Sequence, residues 1–405
     1  MKQKTIISLL LFSSLFSQDL TVKDLTEHIS PIGIAPNPQN GYGNGNDQLA
    51  QPDDVELLSD GSMIVSDVDN NRIQHFSKDG KLLKSITASD IGLADIDIIP
   101  TGISKDALGF IYISLEGVGV IARFSTNLEL DQLIGQYCDI PADNYYDDKN
   151  RNCLIKPQGL IVSASGDVYV IDMAKSVFKV GDQRNFGFKK FKKITKNKRV
   201  TYQYDKIFAD TQEVTKVMRK SEGMVIDEKR EILLVAEEKP STTQFGNNKK
   251  KRYVATFDLK TGKYRGRLYG VTTDNGKITN GYFYDSVEGL TLLDDNLFVV
   301  DEKAGKIYIF DIESGDCLGS IGSRAYYYCD DKSDCVIEEK NYNEQSIIAN
   351  TVYPHIKNSW KKNEMASPDG ISAIILEDGT KRLAVVDQWN SRILIYDLDY
   401  ILQKL

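Results

Sequence analysis

A short apolar strand core of the form L-x-V-x-D recurs six times along this chain, and that recurrence restricts the fold more than any single motif does. The copies lie at 63–67 (MIVSD), 111–115 (IYISL), 168–172 (VYVID), 233–237 (LLVAE), 297–301 (LFVVD) and 383–387 (LAVVD). Five of the six end on an acidic side chain, Leu115 being the exception. A partner strand follows each core, marked by an aliphatic residue three before an aromatic or aliphatic one: Ile73/Phe76, Ile121/Phe124, Val177/Val180, Val254/Phe257, Ile307/Phe310 and Ile393/Tyr396. In most copies a short polar turn, such as 69–72 (DNNR) or 389–392 (WNSR), joins the two, which is a hairpin signal.

Ahead of each core stands a lead-in: PDD at 52–54, PTG at 100–102, PQG at 157–159, SEG at 221–223, VEG at 287–289 and PDG at 368–370. Each opens a further strand, and an outer fourth strand follows the partner, as at 81–86 and 317–321. Four antiparallel strands repeated six times, with almost no helical period between them, predict an all-β chain: a six-bladed β-propeller of four-stranded antiparallel blades beginning near 52, 100, 157, 221, 287 and 368. Blades bury their faces on their neighbours, so residues 18–405 are expected to form a single domain despite their number. Residues 25–34 are expected to close the ring as the outer strand of the last blade, with 400–405 as the competing candidate.

The first residues carry Lys2 and Lys4, an apolar run at 5–16 and small residues around Ser17, the pattern of a secretory signal peptide over 1–17. A secreted or periplasmic protein is expected, with no membrane insertion. An excess of Asp and Glu (58) over Lys and Arg (50) argues against nucleic acid as a partner. The basic stretches 186–196 and 247–252 read as a solvated strand edge and a hairpin tip. Of five cysteines, Cys138 with Cys153 and Cys329 with Cys335 bracket loops that disulfides could staple, leaving Cys317 as a free thiol.

In a four-stranded blade the lead-in residues and the ends of the second strands meet at one mouth of the central channel. That places Asp53 with Asp67, Thr101 with Leu115 and Glu116, Gln158 with Asp172, Glu222 with Glu237 and Glu238, Glu288 with Asp301 and Glu302, and Asp369 with Asp387. Carboxylates gathered at one mouth raise one another's pKa unless something neutralises them. A hard cation with oxygen ligands is the natural remedy, and calcium, which takes six to eight oxygens in flexible geometry, suits ligands from separate blades. Asp53, Glu222, Glu237, Glu288, Asp301 and Asp369 are therefore the candidate metal ligands. The competing role for an Asp that ends a second strand is to cap the turn that follows it.

The stretch 48–83 (QLAQPDDVELLSDGSMIVSDVDNNRIQHFSKDGKLL) closely resembles the NHL repeat, and 367–398 resembles it more loosely. NHL repeats imply a six-bladed propeller and leave function open. The later blades, 221–238 (SEGMVIDEKREILLVAEE), 287–302 (VEGLTLLDDNLFVVDE) and 368–388, resemble successive blades of the β-propeller phytases. That resemblance implies several calcium ions beside a phosphate site, with Glu222, Glu237, Glu288 and Asp369 as its carboxylates and a metal-bridged water as nucleophile. Phosphate would be held by Lys249, Lys250, Lys251 and Arg252. Blades 1 and 2 lack the basic phosphate ligands that such phytases carry, Arg72 being the one cation close to either turn. The leading expectation is a secreted calcium-dependent phosphate ester hydrolase acting on a phosphorylated small molecule. Two alternatives stand beside it: an NHL-type scaffold that binds a protein or glycan through the tyrosine-rich insertion 326–365, and a lactonase-like calcium hydrolase.

Overall fold

In a computed structural model, residues 22–37, 42–138, 147–172, 187–205, 218, 221–237, 252–274, 277–284, 286–324 and 364–405 are described. The first 17 residues, Val177 and Val180, Cys329 and Cys335, Glu238, Lys249, Lys250 and Lys251, and nearly all of the insertion lie outside them.

Six four-stranded antiparallel sheets surround a central channel. The innermost strands are Pro52–Leu57, Pro100–Lys105, Pro157–Val162, Met224–Asp227, Val287–Leu293 and Pro368–Ile375, and each packs beside the next until the sixth meets the first. The second strands are the repeated cores, buried along their length because neighbouring blades cover both of their faces. The core is accordingly divided between blades: Ile64, Ile73 and Ile86 of blade 1 pack with Ile103, Ile113 and Phe124 of blade 2, and comparable clusters fill the other gaps. Gly33–Ala35 pairs antiparallel with Arg392–Asp397 as the outer strand of blade 6, so the first of the two expected closures is the one adopted. Residues 398–404 form a helix instead, its N-cap Asp397 accepting a hydrogen bond from Tyr400 N. Among the described residues no helix is long and apolar enough to cross a membrane.

Blade 3 corrects the sequence reading. Its third strand is Gly187–Lys196 and its fourth Arg199–Tyr204, not strands built on Val177 and Val180. Half of the basic run read as a solvated edge is interior: Lys189 is fully buried and donates to the carbonyls of Asn150 (3.0 Å) and Cys153 (2.7 Å), and Lys190 pairs with Asp167 and Asp205, while Lys192 and Lys196 are exposed as expected. Charges that looked solvated are paired, which is what permits them inside. The Cys138–Cys153 disulfide forms as expected and Cys317 is a free thiol.

Candidate functional site

The register of each blade shows why the lead-in residues reach the channel. In five blades the first innermost-strand residue pairs with the last residue of the second strand (Pro52 with Asp67, Pro100 with Leu115, Pro157 with Asp172, Val287 with Asp301, Pro368 with Asp387), and a bulge follows immediately. A bulge re-aims the side chains it contains. Those residues are Asp53-Asp54, Thr101-Gly102, Gln158-Gly159, Glu288-Gly289 and Asp369-Gly370, with Glu222-Gly223 in the equivalent place of blade 4.

Glycine at the second of these positions lets adjacent strands touch. A Cβ on Gly102, Gly159, Gly223 or Gly289 would stand less than 3.0 Å from the carbonyl oxygen of Gln158, Glu222, Glu288 or Asp369 of the next blade. Blade 1 alone carries a side chain there. Asp54 reaches across to accept from Ile103 N of blade 2 (2.7 Å) and from Val55 N (2.8 Å), and its other neighbour is Gly370 of blade 6.

The result is a ring of carboxylates from four blades. Burial, then the charges on Glu222, Asp54 and Glu116, pushes Asp53 well above the carboxylate range. Burial, then Asp53, Glu222, Glu302 and Asp54, does the same to Asp369, whose carboxylate accepts from Gln388 Nε2 (3.1 Å). Asp54 is pushed up to about 7, burial outweighing its two backbone donors. Glu288 is buried and accepts from Ser286 Oγ at 2.6 Å. Gln158 donates to Glu116, which also pairs with Lys156.

The ends of the second strands stand behind this ring and are tied to backbone. Asp67 accepts from Ala50 N (2.7 Å), Asp172 from Ile155 N and Lys156 N, Asp301 from Tyr284 N (2.6 Å) and Ala304 N (3.1 Å), and Asp387 from Ala366 N (2.7 Å). Each thus staples the segment leading into its own blade. Blades 1 and 6 add the same clamp: Asp67 takes Asn70 and Arg72, and Asp387 takes Asn390 and Arg392, both arginines at 2.7 Å. Arg72 spends its remaining donors on the carbonyls of Asn44, Gly45 and Gln48. The expected cap of the following turn is made by Asp301 through Ala304 N and by Asp67 and Asp387 through the side chains of Asn70 and Asn390, while the residues that follow Asp172 lie outside those described. The sequence signal was D-x-x-N-x-R, present at 67–72 and 387–392, whose spacing puts amide and guanidinium over one carboxylate.

A cavity of about 370 Å³ begins at the ring, and its lining includes Asp53, Asp54, Gln158, Glu222, Glu288 and Asp369. It runs along the innermost strands to Ala107, Ala164 and Glu228, so it opens toward the face of the first-to-second strand turns. The expected mouth was the lead-in face; the described cavity lies on the other side of the ring. Glu237 and Asp301 are fully buried and do not line it, and Arg252 is buried at the start of Tyr253–Asp258. No histidine lines it.

The donors around the ring fit a hard cation in kind, being carboxylates with the Gln158 amide oxygen beside them. In position, no three His, Cys, Asp or Glu side chains among the described residues converge on one point.

No protein family and no curated protein matches the sequence. Among solved structures, a gluconolactonase from Xanthomonas campestris superposes with a TM-score of 0.47 at 12% identity, over 86% of this chain and 87% of its own. Streptogramin B lyase gives 0.43 at 12% identity over 88% and 96%, and a putative gluconolactonase 0.46 at 10% over 93% and 97%. Likenesses this distant carry no argument about function.

Proposed function

We propose that the carboxylate ring binds a hard divalent cation, calcium, and that the cation serves hydrolysis of a small uncharged ester held in the adjoining cavity. The observation that carries this reading is the crowding of Asp53, Asp54 and Asp369, half-buried in the wall of the channel, among carboxylates that raise one another's pKa. Such a cluster opposes folding at neutral pH unless a cation joins it. Asp53, Glu222, Glu288 and Asp369, which do not converge on one point, would have to swing inward from four blades to hold the ion, with water and backbone oxygens completing a coordination that calcium accepts in flexible form. Bound there, calcium would polarise the ester carbonyl and acidify a water.

An uncharged ester, a lactone among the candidates, is favoured over a phosphate ester because described cations near the ring already have carboxylate partners: Lys156 with Glu116, Lys303 with Glu302 at 3.8 Å, Lys105 with Glu56 and Arg72 with Asp67. Export into an oxidising compartment belongs to the same reading, supported by the Cys138–Cys153 bond. A side-by-side assay of a δ-lactone and a phosphate monoester, each with calcium and with chelator, separates the classes. Lactone turnover that stops in chelator and falls at least a hundredfold in Glu222→Gln is expected, since the ion polarising the carbonyl is worth several kcal/mol. Equal turnover in chelator would refute the reading, and turnover of the phosphate ester alone would restore the phytase-like one.

A further inference from the structure

One step beyond the ring, the channel wall carries a second tier at equivalent positions of the six blades: Glu56, Ser104, Ile161, Val225, Thr291 and Ser372, all lining the cavity. Its three hydroxyls repeat one device. Val162 N donates to Ser104 Oγ, Ala373 N to Thr291 Oγ1 and Leu57 N to Ser372 Oγ, each at 3.1 Å and each from the following blade. All three side chains are more than nine-tenths buried. A hydroxyl that accepts a backbone N–H still has its own proton to give. Ser372 turns its proton toward Glu56 (3.4 Å), which also pairs with Lys105. Ser104 and Thr291 have no such acceptor among the described residues.

Ser104 belongs to blade 2 and Thr291 to blade 5, so in a ring of six they stand on opposite sides of the channel. Between them the wall is divided by polarity. Within this tier blades 3 and 4 contribute Ile161 and Val225, whereas blades 6 and 1 contribute Ser372 and Glu56, with Lys105 of blade 2 alongside. We infer that this tier is a recognition site for an uncharged cyclic molecule with oxygen acceptors on opposite edges, one apolar face and one polar face. Ser104 and Thr291 donate to the two oxygens, the apolar face lies on blades 3 and 4, and the ligand enters from the face of the strand turns. The inference takes from the proposed function only that the cavity is where substrate binds, and it needs no cation.

The probe is 1,4-cyclohexanedione, which has two opposed acceptors and no donor, followed by the methyl resonances of ¹³C-methionine-labelled full-length protein. Met224 lines the cavity; Met63 and Met365 are buried elsewhere. Saturable movement of Met224 alone is expected. Thr291→Val and Ser104→Ala are each expected to weaken binding about three- to tenfold, the loss of one hydrogen bond, and Thr291→Ser to keep it. No movement of Met224, or unchanged affinity in well-folded Thr291→Val, would overturn the inference. Repeating the titration in chelator keeps the two proposals apart: binding that persists there supports this one whether or not calcium-dependent hydrolysis is found.

Discussion

Gly159→Ala is expected to destabilise the protein by about 3 kcal/mol, at the upper end of what overpacking costs in a tightly built interior. The added methyl would overlap the main-chain carbonyl of Glu222, which leads into the innermost strand of the next blade. A flexible side chain could swing away from such a clash; a main-chain carbonyl packed against the bulge of the neighbouring blade cannot. Relief requires blades 3 and 4 to separate at the channel, which also moves Gln158 and Glu222 out of the ring. Urea unfolding measures the loss as a lower midpoint at unchanged slope. Gly379→Ala, where φ is +85° but nothing lies within 4 Å of the added atom, is the comparison, since its cost is backbone strain alone. Equal effects of the two changes would mean that the inner strands yield and that the ring is not held by their contact.

In the absence of calcium the protein is expected to become less stable as pH rises from 4 to 7, the reverse of ordinary acid denaturation. Asp54 titrates at about 7 when folded, against 3.8 as the ordinary value, and Asp53 and Asp369 are displaced in the same direction. A carboxyl whose folded pKa is raised contributes its full stability below the unfolded pKa and loses it as pH climbs through the folded one. At about 1.4 kcal/mol per pH unit, Asp54 alone accounts for roughly 4 kcal/mol across that window. Melting curves at pH 4.5, 5.5 and 7 should therefore fall in steps. Asp54→Asn should remove its own share of the fall and leave that of Asp53 and Asp369, and saturating calcium should flatten the whole of it by taking the place of the protons. A melting temperature that rises with pH across this range would show that the ring is ionised at little cost.

Much of this architecture is legible in the sequence. The period of the L-x-V-x-D cores and the lead-ins ahead of them gave the blade number, the strand order and the placing of Asp53, Glu222, Glu288 and Asp369 together at the axis, because every blade repeats one register. Blade 3 was not legible. Its third strand carries Lys189 and Lys190, and only the fold brings the carbonyls of Asn150 and Cys153 and the carboxylates of Asp167 and Asp205 to them. The division between ring and staple was hidden for a similar reason. Asp301 and Asp369 are both acidic residues at repeated positions, but Asp369 faces the channel while Asp301 accepts from Tyr284 N in the segment before its blade and from Ala304 N in the turn that follows its strand. The hydroxyl tier carried a faint signal, Ser104, Thr291 and Ser372 sharing one place in their blades, which becomes visible once the bulges align the strands.

Calorimetric titration of calcium into chelator-treated protein at pH 7, with a melting curve at each end point, tests the central claim most directly. Saturable binding is expected, with a raised melting temperature as linkage requires and loss of both in the Asp53→Asn, Asp369→Asn double variant. An unchanged melting temperature and no binding heat at millimolar calcium would contradict the claim that this ring is a cation site.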